Sequence, residues 1–387
     1  MRPLNPNDNM ELDFVESLLD IPAMDWNRLS DPNDPFTTYA FLAALESSQS
    51  VGQDTGWMPI HIILRQQDVL QGALPLYLKN HSYGEYIFDW SWAEASERAQ
   101  IPYYPKLVSA IPFTPATGPR FLFPETESLT KTDKLWSGAS YIADSLEASS
   151  IHLLFLPESQ IQQWPEDEIL SRLTHQYHWT NPSVDTFNEW LALFRSKDRK
   201  KIKSERRRAQ QSVDRIYHLT GSELQKKHID AIWNFYQNTS KRKWGSPYLT
   251  RAFFDKLNTS LADITLAFFA EKNDILVASS LCFQRGENLY GRYWGCKEYN
   301  DCLHFELCYH QPIDLCIQRG WKRFEAGAQG EHKIKRGLMP TAIHSAHWIR
   351  HQGLRGGIAR FLEQERMATM QHLRILSQRG PFRRDSQ

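Results

Sequence analysis

An antiparallel meander is written into residues 264 to 294. Ile264 to Ala270, Ile275 to Gln284 and Asn288 to Trp294 are apolar-rich runs joined by the polar turns Lys272-Asn273-Asp274 and Arg285-Gly286-Glu287. Runs of that length with connections that short pair as successive hairpins. A second hairpin pattern lies far upstream, where Pro59 to Arg65 and Val69 to Lys79 flank the turn Gln66-Gln67-Asp68. Between them the period changes. Phe36 to Ser47, with Tyr39, Phe41, Leu42 and Leu45 on one face, residues 133 to 149, and Asp185 to Arg195 read as helices, and Ile151 to Leu156 reads as a strand. A chain of 387 residues exceeds what one core usually holds. Hairpins in both halves therefore predict a mixed α/β protein of the α+β class in two domains, residues 1–184 and 185–387, each a mainly antiparallel sheet flanked by helices.

Charge narrows the class of partner. Forty-five Lys and Arg balance forty-five Asp and Glu, so no global field draws the chain to nucleic acid or an anionic membrane. No apolar stretch of 18 residues is present, and Met1 to Leu19 lacks the basic start and apolar centre of a secretory signal, so a cytoplasmic protein is expected. Cys282, Cys296, Cys302, Cys308 and Cys316 are an odd set without paired CxxC spacing. They read as reduced thiols, and no metal site is assigned.

Chemistry concentrates in Phe324 to Leu338. Behind a predicted strand, Gly327, Gly330 and Gly337 alternate with Glu331, His332, Lys333 and Lys335. Glycines let backbone approach a ligand or take positive φ, and the charged set supplies donors and acceptors within reach of one point. Further upstream, His81 to Trp90 and Tyr103 to Gly118 are loops rich in aromatic residues, Pro and Gly, with Lys79 and Lys106 as the polar exceptions assigned to ligand contact. The run Arg195 to Arg208 holds nine basic residues against two acidic ones and reads either as a solvated helix or as a grip on phosphates. Asn300 or Asp301 is expected to cap a following helix, and Pro312 to kink it or start another.

Taken in order, these words resemble a known family. Pro75-Leu76-Tyr77-Leu78-Lys79, His81-Ser82-Tyr83-Gly84-Glu85, Phe88-Asp89-Trp90, Tyr103-Tyr104-Pro105-Lys106, Pro112-Phe113-Thr114-Pro115, Lys243-Trp244-Gly245, Leu289 to Cys296, Leu303-His304-Phe305-Glu306 and Gly327 to Lys333 are similar to the FemAB-like proteins of peptidoglycan biosynthesis or recognition, predicted N-acyltransferases of the GNAT superfamily. The resemblance runs from about residue 33 to residue 365 and implies two tandem GNAT-like domains. It also implies a structural place for the basic run, at the entry to the second domain. Ile334-Lys335-Arg336-Gly337-Leu338 is similar to a Phe-Lys-x-Gly-Phe segment of FemX-like peptidyltransferases, whose lysine lies at the reacting carbonyl. The GNAT pyrophosphate loop is not evident, since Cys296-Lys297-Glu298-Tyr299-Asn300 stands at the expected junction.

The expected activity is transfer of an acyl or aminoacyl group to an amine of a peptide, amino-sugar or metabolite. Such a reaction needs a neutral amine, a stabilised oxyanion and a proton for the leaving group. Glu331 or His332 is assigned the amine proton and Lys335 the oxyanion, while Arg292, Tyr293, Trp294, Gln329 and Lys333 are assigned to substrate or donor contact. No covalent cofactor is expected. Acyl-CoA is one donor the resemblance allows and charged tRNA another, less favoured by the neutral net charge. Two alternatives stay open: a non-catalytic module that recognises a cell-wall precursor or related glycopeptide, and a metal-dependent hydrolase using His304, His332, His344 and His347. The sequence leaves the oligomeric state unknown.

Overall fold

The computed structural model describes residues 10–124, 129–161, 168–243, 247–328 and 330–383, without the side chains of 241–243. The chain condenses into two units that interleave in sequence. Unit 1 comprises residues 1–31, 36–174 and 343–368; unit 2 comprises 32–35, 175–342 and 369–387.

In unit 1, β1 (Met10–Val15), β3 (His61–Gln66) and β4 (Val69–Leu74) form a small antiparallel sheet. A second set of strands holds β2 (Met58–Pro59), β5 (Tyr77–Lys79), β6 (Lys106–Ser109), β7 (Ser150–Leu156) and the end of β14 (Met339–Ile349), neighbours in that order. The hairpin expected over 59–79 forms, but its second strand does not run through. Pro75 lacks the N–H a ladder needs, so β4 stops at Leu74 and pairs with β3, while β5 pairs with β2 and β6. Leu107, Ile151 and Leu153 share a core with Leu135, Ala139 and Ile142 of the helix Leu129–Ser145.

In unit 2, β10 (Thr265–Lys272), β11 (Ile275–Arg285) and β12 (Asn288–Cys296) form the predicted antiparallel meander, and β9 (Arg215–Thr220), which the sequence reading did not mark, pairs with β10 at its edge. β13 (Arg323–Glu325) pairs parallel to β12 and antiparallel to β8 (Leu170–Thr180). The basic run is one helix, Ser196–Gln211. Ile202 and Ala209 bury one side of it in a core with Trp190, Phe194 and Leu307, which explains why so polar a sequence holds a place in the fold.

Candidate functional site

The pairing of β12 with β13 covers only Asn288–Tyr290 against Arg323–Glu325, after which the two parallel strands part. Register on the other side of β12 breaks at the same place. Cys282 pairs with Gly291 and Leu281 with Tyr293, so Arg292 is the extra residue of a β-bulge. Bulges bend a strand and re-aim its backbone beside functional sites. Beyond the bulge, Tyr293 is half-buried and packs beside Tyr236 and Phe254, with ring centroids 5.0 and 6.3 Å away. Trp294 points to the other side and meets His304 at 5.2 Å. There Trp294, Cys296, Glu298, Tyr299, His304 and Phe305 line a cleft of about 290 Å³.

The helix beginning at Leu303 is not capped by Asn300 or Asp301. Cys302, in the left-handed region, occupies the cap position, and Asp301 instead pairs with Arg208 at 2.6 Å. One turn on, residues Glu306–His310 widen into a π-helical segment before the helix continues as Gln311–Arg319. Widened turns of this kind recur at functional sites. Here the segment carries Tyr309, whose hydroxyl lies 3.0 Å from Nε2 of His332.

His332 comes from the glycine-rich segment, where residues Glu331–Arg336 form a tight 3-10 turn. Gly330 at φ 111° leads into it, and a β-carbon there would sit 2.4 Å from the His332 ring. Gly337 at φ 79° closes it, with Trp190 where a β-carbon would project. Beneath the turn, buried Arg336 pairs with buried Glu205 through bonds of 3.1 and 2.8 Å and donates to the His332 carbonyl at 2.7 Å. His332 is an exposed residue, but partial desolvation of its ring, reinforced by the cations of Arg336 and Lys333, lowers its pKa and favours the neutral imidazole. Burial raises that of Tyr309 and keeps its hydroxyl a proton donor.

The other assigned residues fall in different places. Lys333 is buried and donates to the Gly327 carbonyl at 2.7 Å, pinning the strand that parts from β12. Lys335 is exposed; its ammonium caps the carbonyl of Arg379, just past the helix Gln352–Gln378. Glu331, also exposed, faces Arg379 at 3.4 Å. Lys333 and Arg336, three residues apart in the 3-10 turn, share its buried side. Gln329 lies outside the described residues. Arg292 stacks on Tyr293 with its guanidinium 5.1 Å from the ring.

Lys79 and Lys106 belong to unit 1 and are fully buried. Glu85 bridges them, 3.6 Å from Lys79 and 2.9 Å from Lys106, and Lys106 also binds Asp89 and Ser82. Burial lowers Lys79 to about 7 and raises Glu85 to about 7. Burial works against the charge on Lys106, yet Glu85 and Asp89 hold its pKa above the ordinary lysine value. His152 and His347, hydrogen-bonded to each other at 2.6 Å, extend this network, and burial lowers both. Sequence reading missed Glu205 and Tyr309 entirely. Basic neighbours hid Glu205, although an acid at the middle of such a run is itself a sign of an inward ion pair.

Among the described residues no group of three or more His, Cys, Asp or Glu side chains is placed to hold a metal, and no helix is long and apolar enough to cross a membrane.

The strands and the helices that flank them define an α+β fold. The chain belongs to the FemAB-like family of peptidoglycan biosynthesis/recognition proteins, whose sequence model matches residues 17–384. Among solved structures, FemX superposes with a TM-score of 0.53 at 13% identity, covering 90% of this chain and all of FemX. The C-terminal DUF2156 domain of a candidate lysylphosphatidylglycerol synthetase from Agrobacterium fabrum gives 0.54 at 7% identity, covering 88% of this chain and 96% of the other. A conserved protein of unknown function from Bacteroides thetaiotaomicron gives 0.53 at 11% identity, covering 88% of this chain and the whole of the other. At these identities the likeness is one of fold. A search of curated proteins returns no match.

Proposed function

We propose that the chain transfers an acyl or aminoacyl group to an amine, in keeping with its family's place in peptidoglycan biosynthesis, and that the reaction runs where β12 and β13 part in unit 2. One observation carries the reading: just past the bulge at Arg292, Trp294 meets His304, whose ring lies 5.4 Å from that of Tyr309 and 6.3 Å from that of His332, so the bulged strand and the Tyr309–His332 pair are joined through one imidazole. Neutral His332 takes the proton of the attacking amine as the new C–N bond forms. Tyr309 gives its proton to the leaving oxygen or sulfur as that bond breaks, and His332 returns a proton to Tyr309, so the protein ends as it began. Lys335 and Glu331, turned to Arg379, stand at the edge of this scheme, and Lys333 acts by holding the Gly327 carbonyl.

The donor follows from two local features. Glu298 lines the cleft at the strand-to-helix junction, where its charge opposes a pyrophosphate. On the helix Ser196–Gln211, Lys197, Lys200, Lys201, Lys203 and Arg207 are all exposed, a stripe suited to a polynucleotide backbone. Both favour charged tRNA over acyl-CoA. The test is turnover of each donor with amine acceptors, read by mass spectrometry, in wild type, His332→Gln and Tyr309→Phe. Each substitution is expected to lower kcat by about a hundredfold to ten-thousandfold with donor binding retained. Undiminished turnover in both variants would remove the pair from the chemistry.

A further inference from the structure

Unit 1 contains a buried polar stripe. Lys79 on β5 stands in register with Lys106 on β6, and His152 on β7 with His347 on β14. All four side chains are buried. Two lysines opposite each other on a covered sheet face repel, and buried ion clusters are often no more stable than the hydrophobic packing that could replace them.

The hydrogen bonds show what is left over. Each ammonium has three protons to give. Lys106 gives its three to Ser82, Glu85 and Asp89. Lys79 bonds to the carbonyls of Tyr83 at 3.1 Å and Gly56 at 3.4 Å and lies 3.5 Å over the Trp57 ring. The donors are spent, whereas the acceptors are not. Oε1 of Glu85 and Oδ1 of Asp89 are buried without a hydrogen-bond partner, although both residues are only 2% exposed. Their other oxygens already converge on one ammonium, that of Lys106. Oε1 of Glu85 meets the Lys79 ammonium only as an ion pair at 3.6 Å and Oδ1 of Asp89 has no hydrogen-bond partner, so any added partner must be a donor.

The covering loop adds an apolar face. Tyr83 and Trp90 are 57% and 37% exposed, their rings 5.0 Å apart, and Phe88 stacks on Trp90 at 5.9 Å. Tyr83 lies two residues before Glu85, and Trp90 directly follows Asp89. Between them Gly84 at φ 81° and Tyr86 at φ 63° hold the loop in the left-handed region, an unfavourable conformation for a tyrosine. Glu85 and Asp89 ride on this loop, so access to their carboxylates requires its displacement.

We propose that unit 1 carries a binding site for a primary amine, whose ammonium is accepted by Glu85 and Asp89 and whose body stacks on Tyr83 and Trp90. The site is independent of the transfer reading above, because it predicts saturable binding whether or not turnover occurs.

Calorimetry and thermal shift on the full chain test it with propylamine, glucosamine and N-acetylglucosamine. Both amines are expected to bind and raise Tm saturably, glucosamine more tightly through its ring face, with no shift from the N-acetylated sugar. Glu85→Gln should weaken amine binding roughly tenfold to a hundredfold. If that variant does not fold, Trp90→Ala, altered only at the partly exposed rim, decides the matter by weakening glucosamine severalfold while propylamine changes little. Absence of saturable amine binding, equal binding of N-acetylglucosamine, or a Trp90→Ala variant indistinguishable from wild type would overturn the proposal. A transferase that turns over normally yet shows none of this binding would reject the site and leave the transfer reading in place.

Discussion

Replacing Glu205 with Gln tests whether the turn that presents His332 is held by a buried charge. Glu205 and Arg336 are 3% and 4% exposed and share two hydrogen bonds. Arg336 cannot shed its proton, so Glu205→Gln leaves a buried cation facing a neutral amide. Removing one partner of such a pair costs about 3–5 kcal/mol. The lower end applies, because Gln still accepts one bond and Arg336 keeps the His332 carbonyl at 2.7 Å and the Phe305 ring at 3.4 Å. Replacing both partners, as Glu205→Leu with Arg336→Met, removes the orphan charge and should recover all but about 1 kcal/mol, the worth of the missing bond to His332. Urea unfolding followed by tryptophan fluorescence and far-UV circular dichroism measures this, with coincident transitions required because the chain has two units. The sign with pH is fixed too. Burial raises the Glu205 pKa, but His310 and Arg336 outweigh it and hold it below the ordinary value. The stability it contributes is present above the unfolded value of about 4.3 and is lost as pH falls through the lower folded one, an acid limb that Glu205→Gln should flatten. A loss under about 1 kcal/mol in the single variant, or a double variant no more stable than the single, would refute the reasoning.

Three further outcomes follow from the same geometry. Because the His332 pKa is lowered, the acid limb of kcat/KM should lie below the ordinary histidine value of about 6.5, and a limb at or above that value would assign the base elsewhere. Lys335→Ala should change stability by no more than about 0.5 kcal/mol and leave turnover close to wild type, since its ammonium serves an exposed carbonyl; a large fall in kcat in single-turnover assays would return it to the reaction. Reversing the charges at Lys197, Lys200 and Arg207, all exposed, should weaken filter binding of charged tRNA and reduce its salt slope by roughly one for each phosphate no longer neutralised, while binding that ignores both salt and these substitutions would exclude the stripe.

Periodicity carried the fold further than it carried the site. The meander from β10 to β12 was legible because its strands pair with sequence neighbours through short turns. The break at Pro75 was equally legible in principle, from the missing N–H, but the apolar run on both sides of it concealed the change of partner. What no local pattern could give is the parallel pairing of β12 with β13, which joins residues separated by a helix and fixes where the strands part. The same limit governs the site. Gly330 and His332 were found because they are close in sequence and their chemistry is compressed into one turn. Tyr309 lies 23 residues from His332, and Glu205 lies 131 residues from Arg336, so nothing local marks either partner.

A dense cluster of charge in sequence is thus a poor guide to which charge acts. Of the four ionisable residues Glu331, His332, Lys333 and Lys335, the turn sends two outward to Arg379, one inward to a backbone carbonyl, and one to a phenol beside the cleft. Only the last meets a group able to exchange protons with it. In unit 1 the arrangement differs: Lys79 of β5, Lys106 of β6 and Glu85 and Asp89 of the loop after β5 share one buried network. Functional density in this protein is set by which strands and loops cover one another, and the residues that report it are those whose burial leaves a hydrogen-bonding atom without a partner, as at Glu85 and Asp89.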